Sequence, residues 1–222
     1  MNNSIENFSV VIPVFNAEKH VEKTIQNLVS FFSEENISYE IILVNDNSTD
    51  STATILSGLN IKHKNIKIVK NEANIGQDGS TLIGIQATTF QTILVIDDDF
   101  EFPTNSISIL IKTQAEKNAD VVYGIPLHNK SNFIRKIAHT ISHQTIKLFG
   151  FSDASNYKLI ARNLSFKMKK LSLEKNVNID KFLLKNATNI HHVEVENIPN
   201  NHSRYNLRKL VMKTLNFIFY SK

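Results

Sequence analysis

Hydrophobic and polar positions along the first half of the chain recur in one order: a short apolar run, a polar turn, then an amphipathic stretch. Phe8 to Val14 is β-branched and reads as a strand, and Ala17 to Phe32 places Val21, Ile25, Leu28 and Val29 at helical spacing. The order repeats with a strand at Tyr39 to Val44, a polar turn from Asn45 to Asp50 and a helix at Ser51 to Leu59. It repeats again with Ile66 to Val69 and Gly76 to Thr88. Thr92 to Ile96 is apolar throughout, as expected of a strand covered on both faces, and runs directly into Asp97, Asp98 and Asp99.

Strands alternating with helices through short connections predict an α/β fold with a Rossmann-like, mostly parallel sheet flanked by helices. In such sheets ligands bind beyond the carboxyl ends of the strands, so the loops at Asn16, Asp46 and Asp97 are expected to share one edge. After Asp120 to Gly124 the alternation stops. A helix is expected from about Asn132 to Phe149, then a mixed stretch rich in Asn, Lys and His. Without repeats or a Pro/Gly-rich linker, residues 1–222 are expected to form a single domain, with the regular strand–helix alternation in 1–124 and the less regular half in 125–222.

Composition narrows the chemistry. With 222 residues, 41% hydrophobic and 21% charged, the chain can bury a substantial core, which excludes a disordered or fibrous protein. It has no cysteine, so disulfides, thiolate metal sites and cysteine nucleophiles are excluded and any metal is held by oxygen or imidazole. The polar start from Met1 to Glu6 has no secretory pattern, and no apolar run nears the roughly 20 residues that cross a bilayer. The expected location is cytoplasmic, with peripheral attachment to the inner face of the cytoplasmic membrane as an added option. A net charge of +4 favours small anionic ligands or a lipid surface over nucleic acid. Near the C-terminus Leu207, Leu210, Val211, Leu215 and Ile218 form an amphipathic helical stripe flanked by Arg208, Lys209 and Lys213. It fits either a core-packing helix or one docked on anionic lipid.

Asp97 and Asp99 are two apart, so an extended segment would turn both to one face and Asp98 away. A hard cation such as Mg2+ or Mn2+ takes oxygen ligands of this kind and completes its shell with water and substrate phosphate. Three adjacent carboxylates after a buried strand also repel one another, which a cation relieves. Glu101 extends the same spacing as a further metal ligand. Asp46 could accept hydrogen bonds from a nucleobase or ribose, whereas Ser48, Thr49 and Asp50 read as helix caps. The stretch from Asn74 to Gly79 matches neither a P-loop nor the dinucleotide fingerprint, which leaves Asp78 as a donor contact. Arg204 suits phosphate, because guanidinium binds its oxygens bidentately. His191 and His192 are adjacent and His139 and His143 lack a nearby acidic partner, so no zinc site is expected.

Taken together, Val10-Val-Ile-Pro-Val-Phe-Asn16, Ile42-Leu-Val-Asn-Asp-Asn-Ser-Thr-Asp50, Asn74-Ile-Gly-Gln77 and Ile96-Asp-Asp-Asp99 resemble family 2 glycosyltransferases in order and spacing. The likeness is greatest to the branch that glycosylates polyprenyl phosphates, and it continues weakly through Ser152 to Arg162 and Ser203-Arg-Tyr205. The resemblance implies a GT-A fold, a nucleoside-diphosphate sugar donor, a divalent cation, and inversion at the anomeric carbon. It implies Pro13 and Asp46 on the nucleoside, Arg204 on the phosphates, and Asp97 and Asp99 on the metal and diphosphate; Asn16, Asp78 and Asp98 are added as donor-binding candidates from their places in the same loops, with 1–124 as the nucleotide-sugar-binding half and 125–222 as the acceptor-side half. The acceptor is then polyprenyl phosphate or a saccharide, and for a hydroxyl acceptor Asp153 is the candidate base. Asn45, Glu101, Asn156 and Lys158 depart from that branch, which usually has Asp, Gln, Asp and Arg there. A protein that binds nucleotide sugar with little transfer is therefore the alternative from outside the enzyme class.

Overall fold

The computed structural model describes residues 7–100, 103–127, 156–173 and 177–196. Glu101, Asp153, Arg204, the expected helix at 132–149 and the C-terminal amphipathic stretch lie outside these residues.

Seven strands form one sheet: β1 (Phe8–Val14), β2 (Tyr39–Asn45), β3 (Ile66–Lys70), β4 (Thr92–Val95), β5 (Val121–Pro126), β6 (Lys158–Ile160) and β7 (Ile190–Val195). Their order is β3-β2-β1-β4-β6-β5-β7, and β6 alone runs against its neighbours. Six helices are described: α1 (Val21–Glu34), α2 (Thr52–Lys62), α3 (Gly76–Ala87), α4 (Asn105–Lys117), α5 (Arg162–Met168) and α6 (Ile179–Asn186).

The two faces follow from the two-residue alternation of strands. Val10, Ile12, Ile41, Leu43, Leu94 and Leu159 meet Ile25, Leu28 and Phe32 of α1, Leu56 and Leu59 of α2, and Ile107 and Leu110 of α4. Val11, Ile42, Val44, Ile93, Val95 and Ile160 meet Leu82 and Ile85 of α3, Leu164 of α5 and Leu183 of α6. Burial on both faces is why these strands are continuous apolar runs rather than alternating ones. Each such aliphatic side chain removed from water contributes about 1.5–3 kcal/mol against the entropy of ordering the chain.

Expected and observed elements differ where a side chain from elsewhere decides. Helix α1 begins at Val21 rather than Ala17, because Asn16 has φ 50° and Ala17 opens a turn whose carbonyl accepts from His20 and Val21 N–H. Helix α4 and strand β6 were not anticipated. Only Ser106, Ile107 and Leu110 of α4 are fully buried, and β6 begins with a lysine.

Proline in a central strand normally removes a ladder bond. Pro13 does not, because β4 pairs with β1 only from Phe8 to Val11 while β2 continues through Val14. Val11 carbonyl faces Ile96 N–H and Val14 carbonyl faces Asp46 N–H, so residue 13 points to the β4 side, past the end of that strand's pairing. The sheet opens there, between the two strands from which connections diverge in opposite directions.

Candidate active site

At this switch point the loops after β1, β2 and β4 meet, and they hold one another through side chains. Asn16 N–H donates to Ser48 Oγ (3.1 Å), and Asn16 Oδ1 accepts from Thr49 N–H (2.9 Å). Ala17 N–H donates to Thr52 Oγ1 (2.8 Å), and Glu18 accepts from Ser51 N–H (3.0 Å). Of the residues expected to cap the second helix, only Asp50 does so, accepting from Thr52 N–H at 3.0 Å. Ser48 and Thr49 are corrected: they bond across to Asn16, since the left-handed backbone at Asn16 brings the β1 loop over them.

Asp46 follows β2 and is only 3% exposed. Its Oδ1 accepts from Asn71 Nδ2 (2.8 Å) and Ile75 N–H (2.9 Å), and its Oδ2 from Gly76 N–H (2.9 Å). Gly76 has φ 81°, a conformation that favours glycine. The carboxylate therefore fixes the start of α3 and leaves little surface for a nucleoside to touch. Asp78 lies in the first turn of that helix, where negative charge is favoured.

The acidic run is arranged differently from the two-residue alternation expected of it. Strand β4 ends at Val95, and Phe100 N–H bonds back to Asp97 carbonyl (3.3 Å), so Asp98 and Asp99 lie in a turn. Asp98 accepts from Phe15 N–H (3.3 Å) and faces His20 Nε2 (3.4 Å), tying the turn to the β1 loop. Asp97 accepts from Gln77 Nε2 of α3 at 2.5 Å and from Asn156 Nδ2, just before β6, at 3.3 Å. Gln77, His20 and Asn156 thus belong to the site. Gln77 stood in a motif, Asn156 stood out as a departure, and nothing in the sequence marked His20.

No group of three or more His, Asp or Glu that could hold a metal occurs among the described residues. The chemistry of the donor set nevertheless fits a hard cation, which commonly takes one or two carboxylates and completes its shell with phosphate and water. Asp97 accepts from the neutral amides of Gln77 and Asn156, which orient the carboxylate at the edge of β4. A broad groove at the opposite edge of the sheet, lined by Phe8, Thr92, Gln114 and Phe166, carries none of the candidate residues.

Behind Asn156, Lys158 is 3% exposed and pairs with Asp180 of α6, which also accepts from Tyr123 OH (3.1 Å). Burial, then the charge and hydrogen bond at Asp180, push the Tyr123 phenol far above its ordinary range. His192 stacks on the Tyr123 ring with centroids 5.4 Å apart. On the other face Tyr157 OH and Ser106 Oγ share a hydrogen bond of 2.9 Å.

A mostly parallel sheet with an open switch point and an acidic turn at its carboxyl edge is an α/β arrangement of the GT-A kind. Residues 9–179 match the model of glycosyl transferase family 2, and the chain belongs to that family. It is 28% identical over 163 residues to the undecaprenyl-phosphate 4-deoxy-4-formamido-L-arabinose transferase of Pectobacterium carotovorum, covering 73% of this chain and 50% of that protein. The chain thus spans about half the length of that relative. Among solved structures it is similar to mannosyl-3-phosphoglycerate synthase from Rubrobacter xylanophilus, with TM-score 0.69, 15% identity and coverage of 96% of this chain and 72% of that one. It is also similar to the Pyrobaculum calidifontis mannosyltransferase in complex with GDP-Man and Mn2+, with TM-score 0.65, 14% identity and coverage of 90% and 59%. At these identities the structural likenesses establish the GT-A fold. No helix among the described residues is long and apolar enough to cross a membrane.

Proposed function

We propose that this chain is a metal-dependent, inverting glycosyltransferase that moves a sugar from a nucleoside diphosphate to polyprenyl phosphate. The observation that carries this reading is Asp97, held at the carboxyl edge of β4 between Gln77 and Asn156, beside the opening that Pro13 leaves in the sheet. The undecaprenyl-phosphate relative supports the acceptor class.

In this reading Asp97 and Asp99 hold Mg2+ or Mn2+, with Glu101 as a further ligand. Bound there, the cation supplies positive charge against the departing diphosphate. Residues 1–124 bind the donor. Asn16 locks the β1 loop to the loop after β2, Asp98 ties it to the acidic turn, and Asp46 acts on the donor by fixing the Ile75–Gly76 turn. Phe15 and Ile75, 41% and 39% exposed, offer apolar surface for a nucleobase at the same edge. Asp78 and Arg204 complete the donor contacts, and residues 125–222 meet the acceptor.

An oxygen lone pair of the acceptor forms the new bond at the anomeric carbon as the bond to the diphosphate oxygen breaks. Its electron pair leaves on the nucleoside diphosphate. A lipid phosphate is already anionic and loses no proton. A saccharide hydroxyl would give its proton to a base, with Asp153 in that role. Peripheral attachment through the C-terminal stripe would appear as binding to anionic vesicles that weakens with salt.

Incubation of nucleotide sugars with undecaprenyl phosphate or with oligosaccharides, in Mn2+ or EDTA, tests the assignment by product mass. Mn2+-dependent glycosyl undecaprenyl phosphate is expected. Product on oligosaccharide alone would shift the acceptor to a saccharide, and donor binding without released nucleoside diphosphate would leave a binding protein.

A further inference from the structure

Lys158 carries a charge inside an apolar layer, and the proposed transfer makes no direct use of it. It is 3% exposed and stands between Val95 of β4 and Tyr123 of β5, in the layer that Ile160, Ile179 and Leu183 fill. Its ammonium pairs with Asp180 in the first turn of α6 and lies 5.4 Å from the centre of the Tyr123 ring. Tyr123 OH donates to the same carboxylate (3.1 Å). Replacing a buried ion pair by apolar residues of similar volume is often neutral or stabilising, because desolvation offsets the attraction. Stability therefore does not explain the pair. Fixing an alignment does.

Strand β6 needs such a device. It is three residues long and antiparallel to both neighbours, and residues 127–157 separate it from β5, so no tight turn sets its register. A slip of one residue would turn Lys158 to the other face, into the apolar layer of Leu94, Val122 and Ile107. A slip of two would carry it roughly 7 Å along the strand and bring Asn156 or Ile160 to Asp180. Of these alignments, the observed one gives the Asp180 carboxylate its cation.

The observed alignment also builds the site. Val95 pairs with Lys158, so two steps forward from Val95 and two back from Lys158 bring Asp97 and Asn156 together, where the Asn156 amide donates to Asp97 (3.3 Å). On the opposite face of the strand Tyr157 shares a hydrogen bond with Ser106 Oγ (2.9 Å). Its ring packs over Gly124, where a Cβ would lie 2.2 Å from Tyr157 Cδ1.

We propose that the buried Lys158–Asp180 pair is a register lock: it selects the alignment of β6 that carries Asn156 to Asp97, which makes Lys158 and Asp180 positioning residues. The lock rests on the strand pairing, and its bearing on transfer rests on reading the acidic turn as the reaction site.

The test compares wild type, Lys158→Arg and the apolar variant Tyr123→Phe/Lys158→Met/Asp180→Leu by thermal melting, amide hydrogen exchange and sugar transfer to undecaprenyl phosphate. Tyr123→Phe is included because the hydroxyl would otherwise lose its acceptor. The apolar variant is expected to melt at or above wild type, yet its β6 amides should exchange at least about tenfold faster while those of β1 and β2 do not change. Its kcat is expected to fall at least about tenfold, since a small misplacement at a reaction site is costly. Lys158→Arg keeps a buried ion pair, so its β6 exchange and kcat are expected to stay within about threefold of wild type.

Wild-type exchange at β6 in the apolar variant would overturn the lock. Melting many degrees below wild type would do the same, because the pair would then be a stabiliser of the fold. Faster exchange with unchanged kcat would remove the positioning role, as would loss of kcat in Lys158→Arg with its β6 amides still protected. If wild type transfers no sugar, the proposed function and the positioning role fall together, while hydrogen exchange still decides the lock.

Discussion

Glu40 and Asp97 are carboxylates at opposite ends of one sheet, and their neighbours satisfy them in different ways. Glu40, near the start of β2, accepts from Ser9 Oγ (2.6 Å), Lys67 Nζ (2.8 Å), and both the N–H (2.5 Å) and hydroxyl (2.7 Å) of Thr89. Burial raises its pKa, but the bonds from Lys67, Ser9 and Thr89 outweigh that and hold it at about 2. Its charge is met within the fold by a lysine, and it pins the turn that leads into β4. Asp97, where β4 gives out, accepts from the side-chain amides of Gln77 and Asn156. The lysine-paired Glu40 at the amino edge stabilises the fold, whereas Asp97, at the carboxyl edge where the loops of the candidate site meet, is the carboxylate we propose for an incoming cation.

Substitutions at the two ends are expected to separate these roles. The largest effect is at the carboxyl edge: Asp97→Asn should lower kcat/KM for donor turnover by roughly a hundredfold or more, about 3 kcal/mol. Its thermal stability should stay within about 1 kcal/mol, because the shape is kept and the repulsion among three carboxylates falls. Loss of fold in that variant would place Asp97 with Glu40 as a structural group.

At the amino edge, Glu40→Gln is expected to cost about 2 kcal/mol of stability, since donors built for a carboxylate face an amide and the exposed half of Lys67 limits the ion pair. Donor affinity should not change, as measured by calorimetry on the folded variant. The folded pKa lies below the ordinary 4.5, so the contribution of Glu40 is complete above about pH 4.5 and is lost as pH falls towards 2. Chemical denaturation should accordingly show wild type and Glu40→Gln converging across that window, and a constant gap would contradict the assignment.

A smaller effect is expected at the support of Asn156. Gly124→Ala must displace the Tyr157 ring and should cost about 1–3 kcal/mol in denaturant unfolding. With nucleotide-dependent Mn2+ affinity also reduced, β6 would be shown to act on Asp97. Stability loss with unchanged affinity would confine Gly124 to packing.

The parts of the molecule legible in the sequence are those whose reasons are local. Strands β1, β2, β4 and β5 are largely apolar because both faces are covered, and the turn glycine and acidic run punctuate the chain within a few residues of them. Helix α4 buries too narrow a stripe to announce itself. Strand β6 is three residues long and opens on Lys158, which reads as surface until Asp180, 22 positions later, is folded against it. The same distinction governs the site. Asp97 could be found from the strand before it, but its partners Gln77 and Asn156 lie 20 and 59 positions away. Asp46 stood out in the sequence by its place after β2, yet the three bonds that bury it come from 25 to 30 positions downstream.

The anchoring role of Asp97 is tested most directly by calorimetric titration of Mn2+ into wild type and Asp97→Asn, each in the presence of UDP or GDP. The expected result is a loss of at least about tenfold in Mn2+ affinity for the variant with its melting temperature within a few degrees of wild type. Wild-type Mn2+ affinity in folded Asp97→Asn would contradict it.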